Sequence, residues 1–188
     1  MDFTIILIVL AVIAFIVIAI NNSIITAYNS TKRSWADVNT YERQKVNILD
    51  SLTPIVSQYI SYESETLKHI TALRQSIVSL DGATPDGASL EKIQAQTEQV
   101  LKGLSVTVEN YPDLKANTVY LDLMKQITSQ NENVGAAITI FNRNVEIFNS
   151  KIETFPTNVV NGFLAKKQRI NEFKDSTAEK NIEFKPNF

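Results

Sequence analysis

The chain has no cysteine, one histidine, five glycines and five prolines among 188 residues. Each scarcity removes a class of protein. Without cysteine there is no disulfide framework, no thiolate nucleophile and no zinc ribbon. The lone His69 has no second imidazole, and Glu63 and Glu65 stand six and four residues away, off the Glu-x-x-His spacing of di-iron bundles. No metal and no cofactor is expected. Scarce Gly and Pro, with 20% charged residues and a mean hydropathy of −0.05, suit long amphipathic helices better than a turn-rich sheet. A basic surplus is also missing. The net charge of −2 and a pI near 5.5 leave no footprint for nucleic acid. There is no Walker loop, dinucleotide fingerprint, nucleophile elbow or Ser-His-Asp ordering, so no catalytic residue is assigned and the chain is read as non-enzymatic.

Charge is absent altogether from Phe3 to Thr31, a run of 29 positions, and Phe3 to Ile20 is almost purely aliphatic. Eighteen helical residues rise about 27 Å, close to the roughly 30 Å of a bilayer's hydrocarbon core. Asn21, Asn22 and Ser23 supply a polar exit. A cleavable signal peptide would want a basic start, a shorter apolar stretch and a small-x-small cleavage site. Asp2 precedes the run and no such site follows Ile20, so an uncleaved single-pass anchor is favoured over a signal peptide. Lys32 and Arg33 lie close to the C-terminal side of the span, with Arg43 and Lys45 farther along. The positive-inside rule then places the N-terminus outside and the rest in the cytoplasm.

Beyond the span the apolar residues keep helical spacing. Ile24, Tyr28, Trp35, Val38, Tyr41, Ile48 and Leu52 predict that the span runs on into a first helix. Ile55, Tyr59, Tyr62, Thr66, Ile70, Leu73, Ile77 and Leu80 mark one face of a second. Between them, Asp50-Ser51-Leu52-Thr53-Pro54 predicts a break, with a kink as the alternative. Residues 81 to 87 hold the one dense Gly/Pro stretch and form a loop, after which Ser89 is positioned to cap a third helix carrying Leu90, Ile93, Thr97, Val100, Leu104 and Val108. A fourth helix, of near 40 residues, starts at Tyr111-Pro112 and carries Tyr120, Leu123, Ile127, Val134, Ile138, Phe141, Val145, Phe148 and Ile152 until Phe155-Pro156 ends it. Asn131 on that seam is a register device before it is a catalytic group.

The expected fold is therefore all-α, an N-terminal transmembrane helix followed by a long up-and-down four-helix bundle. The divisions are an anchor at 1–23, a bundle at 24–156, and a juxtamembrane segment with an extended or mobile tail at 157–188. Parity returns the fourth helix to the bilayer, where Val159, Val160, Phe163 and Leu164 precede Lys166, Lys167 and Arg169. Phe163, Leu164, Lys166, Lys167 and Arg169 are candidates for contact with the membrane surface; the other reading is that this segment caps the open end of the bundle.

The string Glu109-Asn110-Tyr111-Pro112-Asp113-Leu114-Lys115-Ala116-Asn117, followed by Phe148-Asn149-Ser150-Lys151-Ile152, with an N-terminal span, Tyr28-Asn29, Trp35 and Thr66-Leu67 to Arg74, resembles the LemA family of bacterial membrane proteins. The resemblance implies a single span with the N-terminus outside, a long-helix bundle in the cytoplasm, and no established activity; some relatives are linked to magnetosome membranes. The chain departs from the pattern at Leu49-Asp50-Ser51-Leu52, at Pro54, in a shortened spacing before Trp35, and at Ile138, where relatives often carry Arg. Two functions follow as expectations. One is a membrane-tethered scaffold or adaptor contacting lipid and an unknown protein partner, with Tyr111, Pro112, Asp113, Lys115 and Asn117 as the docking candidates. The alternative is a homo-oligomer that shapes membrane.

Overall fold

The computed structural model describes residues 2–60 and 64–174, and every element among them is helical. The first helix, α1, runs from Asp2 to Val56 without interruption. It holds one segment long and apolar enough to cross a membrane, none of it covered by the rest of the protein. No break occurs at Asp50–Pro54. Pro54 sits in the last turn, where its missing N–H costs one bond, and Leu52 and Val56 on either side are fully buried. Burying two such side chains is worth about 1.5–3 kcal/mol each, enough to hold a turn against the roughly 3 kcal/mol penalty of an internal proline.

The chain turns after Val56, and α2 spans Glu65–Val78, capped by the Ser64 hydroxyl, which accepts from the Leu67 N–H. The second helix thus starts some ten residues later than its apolar stripe suggested. Thr66, Ile70, Leu73, Ile77 and Leu80 are buried as expected, whereas Ile55 and Tyr59 belong to the α1 end and Tyr62 lies outside the described residues. A loop with Gly82 at φ 72° leads to α3, Gly87–Asn110. Asp86, not Ser89, occupies its N-cap; the Ser89 hydroxyl donates to the Asp86 carboxylate. The fourth stretch is split. A single turn, α4 (Pro112–Lys115), precedes α5 (Thr118–Glu153), because Asn117 caps the longer helix by accepting from the Val119 and Tyr120 N–H groups. All nine apolar positions expected on the α5 stripe are buried. A short α6 (Thr157–Val160) and a π-helical turn (Asn161–Ala165) follow; Lys166 takes a left-handed conformation at φ 48°, and residues 167–174 continue outside any helix.

Pairwise contacts give the topology. Lys151 meets Ser23, Phe148 meets Tyr28, Phe141 meets Trp35 and Gln130 meets Tyr41, so α5 runs antiparallel to α1 over at least Gln130 to Lys151. Asn39 bonds the Leu80 carbonyl and Asp50 pairs with Arg74, which sets α2 antiparallel to α1. Thr66 meets Thr107, so α2 and α3 form a hairpin. The bundle has two storeys. Above Asn39 four helices surround the core, and below it α1 and α5 share their groove with the segment 166–174. The buried seam of α1 reads Ile24, Ala27, Thr31, Trp35, Val38, Glu42, Lys45, Leu49, Leu52, Val56, in steps of three and four. Tyr28, Tyr41 and Ile48, expected on this seam, are only half-buried, since the seam passes through 27, 31, 42 and 45 instead.

Candidate functional site

Three places hold polar groups in defined geometry. The first is the end of the bundle distant from the span. Tyr111 closes α3, its ring tilted against Tyr59 at a centroid distance of 6.2 Å. Leu114 of the next turn is fully buried and pins the loop, while Tyr111, Pro112, Asp113 and Lys115 are exposed. Asn117 is spoken for by its cap, so its carbonyl oxygen accepts N–H groups and does not reach outward. Tyr120 beneath it is buried, its hydroxyl donating to the Leu104 carbonyl at 3.4 Å, and burial pushes its pKa up. This tip lies about 54 Å from Ile20, the rise of 36 helical residues of α1.

The second is a polar layer in the upper storey. Lys45 and Glu42, side chains 1% and 3% exposed, form an ion pair at 3.0 Å on the α1 seam. Lys45 Nζ also donates to Thr97 Oγ1 at 3.2 Å, and Gln130 Nε2 donates to the Tyr41 carbonyl at 2.8 Å. The layer crosslinks α1, α3 and α5. It has no acid or base placed against a cleft, so its geometry fixes register and performs no visible chemistry. The sequence carries no local signal for it, since a charged side chain on a helix is ordinarily solvated. Asn131, expected on the seam, is half-buried, with Gln130 taking the inward position.

The third is the lower storey. Asn161, Asn149 and Asn142 each read one main-chain residue of the segment 166–174 at two points. Asn161 accepts from the Lys167 N–H and donates to its carbonyl, both at 2.9 Å. Asn149 does the same with Ile170 at 3.0 and 2.9 Å, and Asn142 with Phe173 at 2.9 and 2.8 Å. Seven residues of α5 rise about 10.5 Å, which three extended residues match. From the other side, the Gly87 N–H donates to the Asn171 carbonyl, Asn171 Nδ2 donates to Asp86, and Glu91 accepts from the Lys174 N–H. Burial pulls the Asp86 carboxyl up, but bonds from Asn171 and Ser89 outweigh it and hold the pKa below its ordinary value. Residues 166–174 of the expected tail are therefore a strap, and residues 175–188 lie outside the described residues. Phe173 ends the strap beside a cleft of about 420 Å³ lined also by Gln94, Asn131, Gly135 and Asn142. The signal in sequence was slight: asparagines at and beside positions of an otherwise apolar stripe.

The membrane-surface candidates also gather at this end. Phe163, Leu164 and Lys166 are exposed. Lys167 Nζ sits 4.2 Å from the Tyr28 ring centroid, and Arg169 pairs with Glu153 at 2.6 Å. Among the described residues no three His, Cys, Asp or Glu side chains come together as a metal site, and His69 is half-buried at the edge of α2.

A family model described as LemA family matches residues 34–185. Protein LemA of Metamycoplasma hominis is 29% identical over 146 residues, 78% of this chain and 65% of that protein. The matched segment thus spans less than two thirds of that relative's length. Neither description names a reaction, a substrate or a partner.

Proposed function

This chain belongs to the LemA family, and from that premise we propose that it is a non-enzymatic, membrane-tethered scaffold or adaptor. Its span sits in the bacterial inner membrane, with the N-terminus outside and the bundle in the cytoplasm. The observation that carries the reading is the continuity of α1, in which the apolar segment and the bundle's seam belong to one 55-residue helix. Such a helix couples the bundle rigidly to the bilayer and holds the exposed tip at Tyr111–Lys115 about 50 Å above it. Lys32 and Arg33, just past the span, support the orientation. Tethering raises the effective concentration of a weak partner to around the millimolar range for a short linker, so a small docking patch suffices.

The test is photo-crosslinking in native membranes from Asp113 and Lys115, with the mid-bundle position Glu132 as reference. The proposal expects discrete adducts to another envelope protein from the tip and not from Glu132. Adducts to the same chain alone would replace the adaptor with an oligomer. Equal, diffuse labelling at all three sites removes the tip as a docking surface. Protease protection in inverted vesicles checks the orientation, which requires the bundle to be digested and the span spared.

A further inference from the structure

Resting on the tethering reading, we propose that the segment from Phe155 to Lys167 is a second membrane contact, an apolar collar seated at the boundary between headgroups and acyl chains around the emerging α1. The geometry begins at Lys151, whose Nζ donates to Ser23 Oγ at 2.7 Å. α5 ends two residues farther along at Glu153, about 3 Å nearer the span and close to the level of Ile20, and Phe155 follows just beyond its cap Thr154. A hydrocarbon core filled by Phe3–Ile20 ends at that same level, since 18 residues supply about 27 Å of the roughly 30 Å required. The segment is fixed at this height. Val160 turns inward and is buried, Ala165 packs against the core, and Lys167 stacks on Tyr28 of α1.

What remains outside is apolar. Phe155 is 82% exposed and Phe163 78%, more than Phe15 in the span at 73%. Val159 at 48% and Leu164 at 56% extend the patch. Exposed apolar surface of this kind marks an interaction site. Its occupant follows from position, because α1 carries this end of the bundle directly onto the lipid surface. The segment divides between the two sequence readings. Val160 caps the bundle, while its neighbours face outward.

The charges play the smaller part. Lys166 is exposed at headgroup height and Lys167 lies over Tyr28, but Arg169 is compensated by Glu153 at 2.6 Å and Glu172 at 3.8 Å. Insertion is therefore expected in zwitterionic as well as anionic bilayers, with anionic lipid only strengthening it. A rod held by a span and a collar has its tilt and rotation set, so the tip faces a defined direction.

The chain has no cysteine, so single cysteines report one position each in the full-length protein. Ile13→Cys probes the span, Phe163→Cys the collar, and Val106→Cys an exposed site on α3. Gly162→Cys repeats the collar reading with every apolar side chain retained, since open space surrounds a Cβ there. Each is labelled with an environment-sensitive fluorophore and reconstituted in phosphatidylcholine vesicles, with and without phosphatidylglycerol, carrying nitroxide lipids. The expected result is blue-shifted, quenched emission at 13, 162 and 163, with 162 and 163 quenched more by a shallow nitroxide than a deep one, and a water-like signal at 106. If 13 is quenched while 162 and 163 behave as 106, the collar is overturned and the tether stands. If 13 is also water-like, the tethering reading fails and the collar with it.

Discussion

The Lys45 side chain is 1% exposed, and among the described residues its ammonium is matched by Glu42 and Thr97. Removing one charge of a buried pair strands the other. Lys45→Ala is expected to cost about 3–5 kcal/mol, read from the midpoint of denaturant unfolding, whereas replacing both Glu42 and Lys45 with leucine is expected to be neutral or stabilising by about 1–4 kcal/mol. A double variant as unstable as the single one would mean that the pair contributes more than mutual compensation. Asp86 gives a pH dependence of known sign. Its folded pKa lies below the ordinary value, so its contribution is present above the unfolded pKa of about 3.9 and is lost as pH falls through the folded value. Wild type should exceed Asp86→Asn in stability at neutral pH, and the difference should vanish once pH has fallen through the folded value. A gap that persists in acid would assign the effect to packing.

At the scale of the element, the strap is held largely by side-chain bonds to its main chain, from Asn161, Asn149, Asn142 and Glu91. Asn149 is buried and supplies both partners of Ile170, so Asn149→Leu leaves a buried N–H and carbonyl unpaired. That substitution is expected to cost about 1–3 kcal/mol locally and to speed hydrogen exchange at Ile170 while leaving the α2–α3 hairpin protected. Unchanged exchange at Ile170 would show that Ile170 burial alone holds the strap. Gly87 tests the opposite side. A Cβ there would lie 2.2 Å from the Glu172 carbonyl carbon, which is backbone and has no rotamer to escape into. Gly87→Ala should therefore lift residues 171–174 from α3 and expose them to protease, with Asn149 still holding Ile170. Cleavage at wild-type rates would mean that the strap can shift without leaving.

At the scale of the whole molecule, α1 carries both the candidate span and the spine of the bundle. Its two parts share a helix axis, so the position of the tip is set by rise per residue and not by a linker's statistics. Energy transfer from a label at Lys115→Cys to acceptors at the bilayer surface should report about 50 Å and a narrow distribution. A broad or much shorter distance would mean that the helix bends between the span and the bundle.

Local pattern alone specified the all-α class, the apolar segment long enough to cross a membrane, the antiparallel order of the helices and nearly every residue of the α5 seam, because helical periodicity and the length of an apolar run are properties of neighbours in sequence. The tip's exposed string was legible for the same reason, since a proline start and a buried Leu114 act within a few residues. Other features required the assembled molecule. Whether α1 breaks at Pro54 depends on how deeply Leu52 and Val56 are buried. Whether Glu42 and Lys45 turn inward depends on Thr97, some fifty residues away. Whether 166–174 is a tail or a strap depends on asparagines on α5 and on the space above Gly87. Each of these balances a local cost against partners distant in sequence, and that balance exists only once the helices have packed.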